Sequence, residues 1–113
     1  MSIVLENKEG VGLITLSGTL DASTAETFRQ QTGTWFDSSP LLKQIVVDFA
    51  AVTFMDSAGL GTLIGLRKQV ASRDGDLRLS RLRPNVKLVL EITRANKIFT
   101  LFETVEEALK PVE

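Results

Sequence analysis

The chain has 113 residues, 43% of them hydrophobic and 24% charged, with a formal net charge of -1. That length and composition predict one globular domain spanning residues 1–113, and the near-neutral charge argues against a polycation that tracks nucleic acid. Cysteine and histidine are both absent, which removes disulfides, thiol chemistry, the commonest general base and the commonest metal ligand.

No stretch approaches the roughly 20 apolar residues of a membrane span. Met1–Gly10 carries Glu6, Lys8 and Glu9 where a signal peptide needs an apolar core. The expectation is a soluble, cytoplasmic monomer without a cofactor. Ile3–Leu5 and Val11–Leu16 read as two short strands around a Glu9-Gly10 turn, and Gly18–Asp21 breaks the pattern. Ser23-Thr24-Ala25-Glu26 has the spacing of a capping box, with Asp21 as a rival cap. The helix it opens places Ala25, Phe28, Thr32, Trp35 and Phe36 at helical spacing and ends at Ser38-Ser39-Pro40.

Ile45–Phe49 is an apolar run too short for a helix, as expected of a central strand covered on both faces. A second helix runs from about Ser57 to Ser72, followed by a turn at Arg73–Asp76. Leu77, Leu79 and Leu82 form the next strand. Pro84 opens a third helix with Val86, Val89, Leu90 and Thr93 on one face. Ile98–Phe102 is a last strand, and Thr104–Glu107 a second capping box before a terminal helix reaching Leu109. The fold class is α/β, a mixed central sheet packed by helices.

Thr53–Gly61, where the buried strand gives way to a helix, stands apart as a candidate site. Ser57 is expected to be the N-cap, its hydroxyl at the positive end of the helix dipole. At about 100° per residue, Leu60, Leu63, Ile64, Leu66, Val70 and Ala71 fill one half of this helix. Ser57, Gly61, Gly65, Lys68 and Ser72 form a stripe outside it, and Arg67 falls in the apolar half, where it must snorkel or pair. Each interior glycine costs roughly 1 kcal/mol relative to alanine, so Gly61 and Gly65 point to a flat face on which another backbone can lie.

Enzyme readings find little support in the same residues. Met55 stands where a nucleophile elbow needs glycine, and a chain without histidine cannot form the Ser-His-acid triad. A Ser-Lys pair remains conceivable, but Lys68 lies about three turns beyond Ser57. Gly59, Gly61 and Gly65 miss the dinucleotide fingerprint by a residue, no lysine completes a phosphate-binding loop, and Asp48 with Asp56 is too little for a metal.

Gly18-Thr19-Leu20-Asp21 with Thr24-Ala25, followed by Asp56-Ser57-Ala58-Gly59-Leu60-Gly61, resembles the STAS domains of anti-sigma factor antagonists. The resemblance covers nearly the whole chain. It implies that Ser57 is phosphorylated by a partner serine kinase that doubles as the anti-sigma factor, and that a metal-dependent serine phosphatase reverses this. The unphosphorylated form would capture the kinase. Asp21, Asp56 and the Gly59–Leu60–Gly61 turn would belong to the partner surface, which the glycine stripe extends to Gly65. Many relatives have serine or threonine where this chain has Ala58, which narrows the acceptor to Ser57 and changes what a kinase meets beside it. A constitutive STAS subunit of a lipid-transport or signalling complex is the alternative. Arg73, Arg78, Arg81, Arg83 and Lys87 read as solvated charges alternating with core leucines. No aromatic residue interleaves with them as nucleic-acid binding would require. Trp35, Phe28, Phe36, Phe99 and Phe102 are expected in the core.

Overall fold

The central strand dictates the layering. In the computed structural model, which describes residues 1–111, β3 (Gln44–Met55) sends Ile45, Val47 and Phe49 to one face and Val46 and Asp48 to the other, all of them buried. The strand is covered on both sides, as its unbroken apolar run requires. β1 (Ser2–Lys8) pairs antiparallel with β2 (Val11–Leu20). β2, β3, β4 (Asp76–Ser80) and β5 (Thr100–Phe102) are parallel, in the order β1-β2-β3-β4-β5.

Each parallel step moves to the next strand in one direction, so right-handed crossovers put every connecting helix on the same face. Those helices are α1 (Ala25–Asp37), α2 (Ser57–Ala71) and α3 (Pro84–Ile92). Phe28, Phe36, Leu63, Leu66, Val86 and Leu90 pack from them onto Ile14, Leu16, Val47 and Leu79. Burying side chains of this size stabilises by about 1.5–3 kcal/mol each. Among the described residues the opposite face is covered by α4 (Val105–Leu109), whose Ala108 joins Leu13 and Val46. Trp35 and Phe102 are half-buried against these clusters, and Phe99 is buried.

Several elements depart from the sequence pattern for nonlocal reasons. β2 continues through Gly18, whose φ of +95° accompanies a bulge, and β3 runs six residues past Phe49, because the two strands go on pairing as far as Leu20 and Met55. The Ser23–Glu26 box does not form. The Asp21 carboxylate captures the Ser23 hydroxyl and amide in an Asx turn, and Glu26 pairs with Arg29 instead. Thr104 does cap α4, accepting from the Glu107 amide at 3.1 Å and donating to its carboxylate at 3.0 Å.

β4 stops at Ser80 because Arg81 turns into the left-handed region at φ 55°, leaving Leu82 half-buried beyond the strand. Thr93 is the exposed C-cap of α3, and Ala71 is exposed at the end of α2. A 3-10 turn (Ala95–Lys97) occupies the space before β5, so Ile98 lies outside the strand.

Arg73, Arg78 and Arg81 are structural ties and not free solvated charges, whereas Lys87 is exposed and without an ion pair among the described residues. Arg78 is buried, pairs with Asp76 at 3.0 Å and donates to the Ala108 and Lys110 carbonyls, so it fastens α4 to the sheet. Arg73 stacks on the Phe36 ring and donates to the Phe36, Ser39 and Leu42 carbonyls. Arg81 makes a two-bond pair with the buried Asp48 carboxylate, and Arg83 donates to the Ala50 carbonyl. Arg67 resolves its misfit by donating from Nε to the Ile98 carbonyl at 2.9 Å. Among the described residues no helix is long and apolar enough to cross a membrane.

Candidate partner-binding site

The helix N-terminus at the end of β3 is built one residue earlier than the sequence suggests. Asp56, not Ser57, is the N-cap of α2. Its backbone is extended (φ -116°, ψ -173°) and its Oδ1 accepts from the Gly59 amide at 3.0 Å. Aspartate and serine cap about equally well. Asp56 prevails because its other oxygen, Oδ2, accepts from the Ala22 amide at 3.2 Å, a partner that only the folded chain supplies. The Asp56 amide donates in turn to the Leu20 carbonyl. Ser57 becomes the first helical residue, exposed, with its hydroxyl free of the capping role.

Two carboxylates belong to the segments that meet at this helix start. Asp56 ties the loop after β2 to the start of α2, and Asp21 in the same loop is half-buried. The Ser23 hydroxyl and amide hold the Asp21 carboxyl below its ordinary value. Asp48, the other carboxylate considered for metal binding, lies on the α4 side of the sheet and is engaged by Ser80 and Arg81. The two are not brought together. Lys68 is eleven residues along α2 from Ser57, or about 16 Å at the helical rise.

Gly59 and Leu60, expected on the partner surface, are buried. A Cβ on Gly59 would run into the Leu20 carbonyl, so this glycine lets α2 start tight against the end of β2. Leu60 faces the core for the same reason, being carried inward by the turn that Gly59 packs. These two shape the site from behind.

Gly61 and Gly65 are exposed, and an added Cβ at either would meet nothing within 4 Å. They form one wall of a cleft of about 520 Å³ between α1 and α2, together with Ala58, Thr62 and Gln69. The other wall is α1, which helical spacing within α2 does not reveal. Gly33, a glycine inside a helix on its open side, lines it with Arg29 and Thr34, and that placement was the signal available in the sequence. The cleft begins beside Ala58 and so adjoins Ser57. Phe54, at 48% exposure, adds an apolar side chain just before the cap.

An exposed hydroxyl at a helix start, the carboxylate that caps the same helix and an open cleft along it thus come from one stretch of chain. Comparison with known proteins agrees with that architecture. The family model described as "STAS domain" matches residues 2–108. An "Anti-sigma F factor antagonist" of Paenibacillus polymyxa is 29% identical over 116 residues, covering 100% of this chain and 96% of the relative. A crystal structure of an anti-sigma factor antagonist from Mycobacterium paratuberculosis superposes with a TM-score of 0.85 at 27% identity, covering 96% of this chain and 90% of that one. The Bacillus cell fate determinant SpoIIAA in its phosphorylated form gives a TM-score of 0.74 at 25% identity, over 96% of each chain. With its mixed five-stranded sheet, three crossover helices on one face and a family match over almost its whole length, the chain belongs to the STAS domain family.

Proposed function

We propose that this chain is an anti-sigma factor antagonist switched by phosphorylation of Ser57. In its unmodified state it binds a partner that is both anti-sigma factor and serine kinase, through Asp21, Asp56, Ser57, Gly61 and Gly65, with Gly59 and Leu60 holding that surface in shape. Phosphate on Ser57 weakens the complex, and a metal-dependent serine phosphatase restores binding.

The observation that carries the reading is the release of the Ser57 hydroxyl. Asp56 takes over the cap, so Ser57 is exposed at the first helical position and available to a kinase. The phosphorylated relative SpoIIAA, at 25% identity, supports the same reading.

The test is phosphorylation itself. Incubated with candidate partner kinases and ATP, the wild-type chain gains one phosphate, and mass spectrometry locates it on Ser57. Ser57→Ala abolishes labelling while the protein stays folded. Undiminished labelling of that variant, with phosphate on Thr53 or Thr62, overturns the acceptor assignment. A domain that forms a stable complex with a transport or scaffold protein and is never labelled is instead a constitutive subunit.

A further inference from the structure

We infer that the outer face of α3 and the turn after it form a second docking surface, made for a partner helix whose apolar stripe is rimmed by acidic side chains. The first observation is charge segregation. Residues 81–98 hold five of the chain's 13 basic residues and one of its 14 acidic ones, leaving eight basic against thirteen acidic elsewhere. Arg81 is committed to Asp48. Arg83, Lys87, Arg94 and Lys97 remain, all exposed and without an ion pair among the described residues.

The second observation is apolar. Leu88 is 51% exposed, Ile92 73% and Ile98 41%, three of the seven large hydrophobic side chains that the described surface leaves open. Leu88 and Ile92 are four apart on α3 and make a ridge of the kind that packs into the groove of a second helix. Arg83 and Lys87 flank the ridge at its start, and Arg94 and Lys97 follow it at its end. A partner with acidic residues at both ends of an apolar stripe matches that layout in shape and sign. Glu91 decides against a lipid surface. It sits exposed on α3 between Lys87 and Ile92, where anionic headgroups would repel it, whereas a helix can set one basic residue opposite it.

The surface is separate from the Ser57 site. The cleft lies on the α1 side of α2, while Arg67, on the other side, reaches Ile98. The chain can therefore hold one partner through α3 whatever the state of Ser57.

The full-length chain, isotope-labelled for NMR, is titrated with a designed amphipathic helix of about 18 residues, or five turns, bearing a leucine stripe and glutamate flanks. Its lysine-flanked twin and phosphatidylglycerol vesicles are the comparison probes. The acidic helix shifts the amides of Leu88, Glu91, Ile92 and Ile98, and its affinity falls as salt rises. Leu88→Ser with Ile92→Ser, and separately Lys87→Glu with Arg94→Glu, each lower that affinity at least about tenfold, or 1.4 kcal/mol, with melting temperatures retained. Ser57→Asp leaves it unchanged. Absence of shifts at α3, equal affinity for the lysine-flanked twin, or binding to vesicles in place of the acidic helix overturns the inference.

Discussion

The Asp56 carboxylate joins two segments that are far apart in sequence, accepting from the Ala22 amide with one oxygen and from the Gly59 amide with the other. One side chain thus sets both the start of α2 and the position of the loop that carries Asp21. Removing it disconnects the two halves of the proposed partner surface. Asp56→Ala loses a cap, costing about 1 kcal/mol, and leaves the Ala22 amide without its partner. For a domain of this size a loss of 1 kcal/mol lowers the melting temperature by roughly 4 °C. Asp56→Asn retains an acceptor for the cap and falls by less. Thermal denaturation checks the order, and faster hydrogen exchange at Ala22 and Gly59 locates the damage.

The glycines of α2 separate into two kinds that substitution will distinguish. Gly59→Ala drives a methyl group into the Leu20 carbonyl, backbone that cannot step aside, and destabilises by more than 1 kcal/mol. Gly61→Ala and Gly65→Ala meet open space and gain helix propensity, raising stability by about 0.4–1 kcal/mol. Gly65→Leu keeps the fold but fills the cleft, and weakens the partner complex at least about tenfold. Urea denaturation and a binding titration on the same variants decide this. Unfolding of Gly65→Leu would show that the cleft serves internal packing.

On the far face of the sheet, the half-exposed Arg81 guanidinium is the main countercharge of a buried carboxylate, with Asp48 receiving both of its bonds. Arg81→Met leaves that carboxylate with only the Ser80 hydroxyl and the Ala50 amide. Stranding a buried charge costs several kcal/mol, reduced here because Arg81 itself is half in water, so about 1–3 kcal/mol is expected. Arg83→Met, which loses only one bond to a carbonyl, costs about 1 kcal/mol or less. Denaturant midpoints of the two variants give the comparison.

Much of this architecture was legible from periodicity. The Ile45–Phe49 run announced a strand covered on both faces, and the alternation of strand and helix signals announced the mixed sheet. What the sequence hid was set by contacts between distant segments. Asp56 and Ser57 are adjacent residues of nearly equal capping strength, and the Ala22 amide, 34 positions away, chooses between them. Period-two reading correctly set Arg78 opposite Leu77 and Leu79. It could not know that α4 folds back over that face and buries the guanidinium. The apolar run ends at Phe49, and only pairing with β2 carries β3 on through the exposed Ala51, Thr53 and Phe54 to Met55. The cleft likewise needed both helices, since Gly33 faces Gly61 and Gly65 only after folding.

Acid titration will report on the loop that carries Asp21. Its carboxyl lies below the ordinary 3.8 chiefly because the Ser23 hydroxyl donates to the ionised form. A depressed native value means that the turn contributes to stability above the unfolded-state pKa, and that this contribution is lost as pH falls through the native value. The Ser23 amide resonance should therefore titrate with a midpoint below 3.8, and Ser23→Ala should move that midpoint upward. An unchanged midpoint in the variant would place the cause elsewhere.

The final prediction concerns what a phosphate at Ser57 does. It adds about -1.5 to -2 charges at neutral pH, at the N-terminal end of the 15-residue α2, where the helix dipole favours an anion. Asp56 stands beside it and opposes that gain by like-charge repulsion, so the net effect on the isolated domain is small. Ser57 is exposed, and the modification displaces no packed group. The partner has no such compensation, because its groups facing Ser57 must accept a bulky charge stripped of water. A loss of about 2–3 kcal/mol there lowers affinity roughly 30- to 150-fold, enough to act as a switch. Ser57→Asp, with less charge, binds more weakly than wild type yet melts within a few degrees of it. NMR spectra of the phosphorylated and unmodified chains should differ only around Ser57, Asp56 and Ala22. Shifts spread across β2, β3 and α1 would reject the interface mechanism in favour of a conformational one.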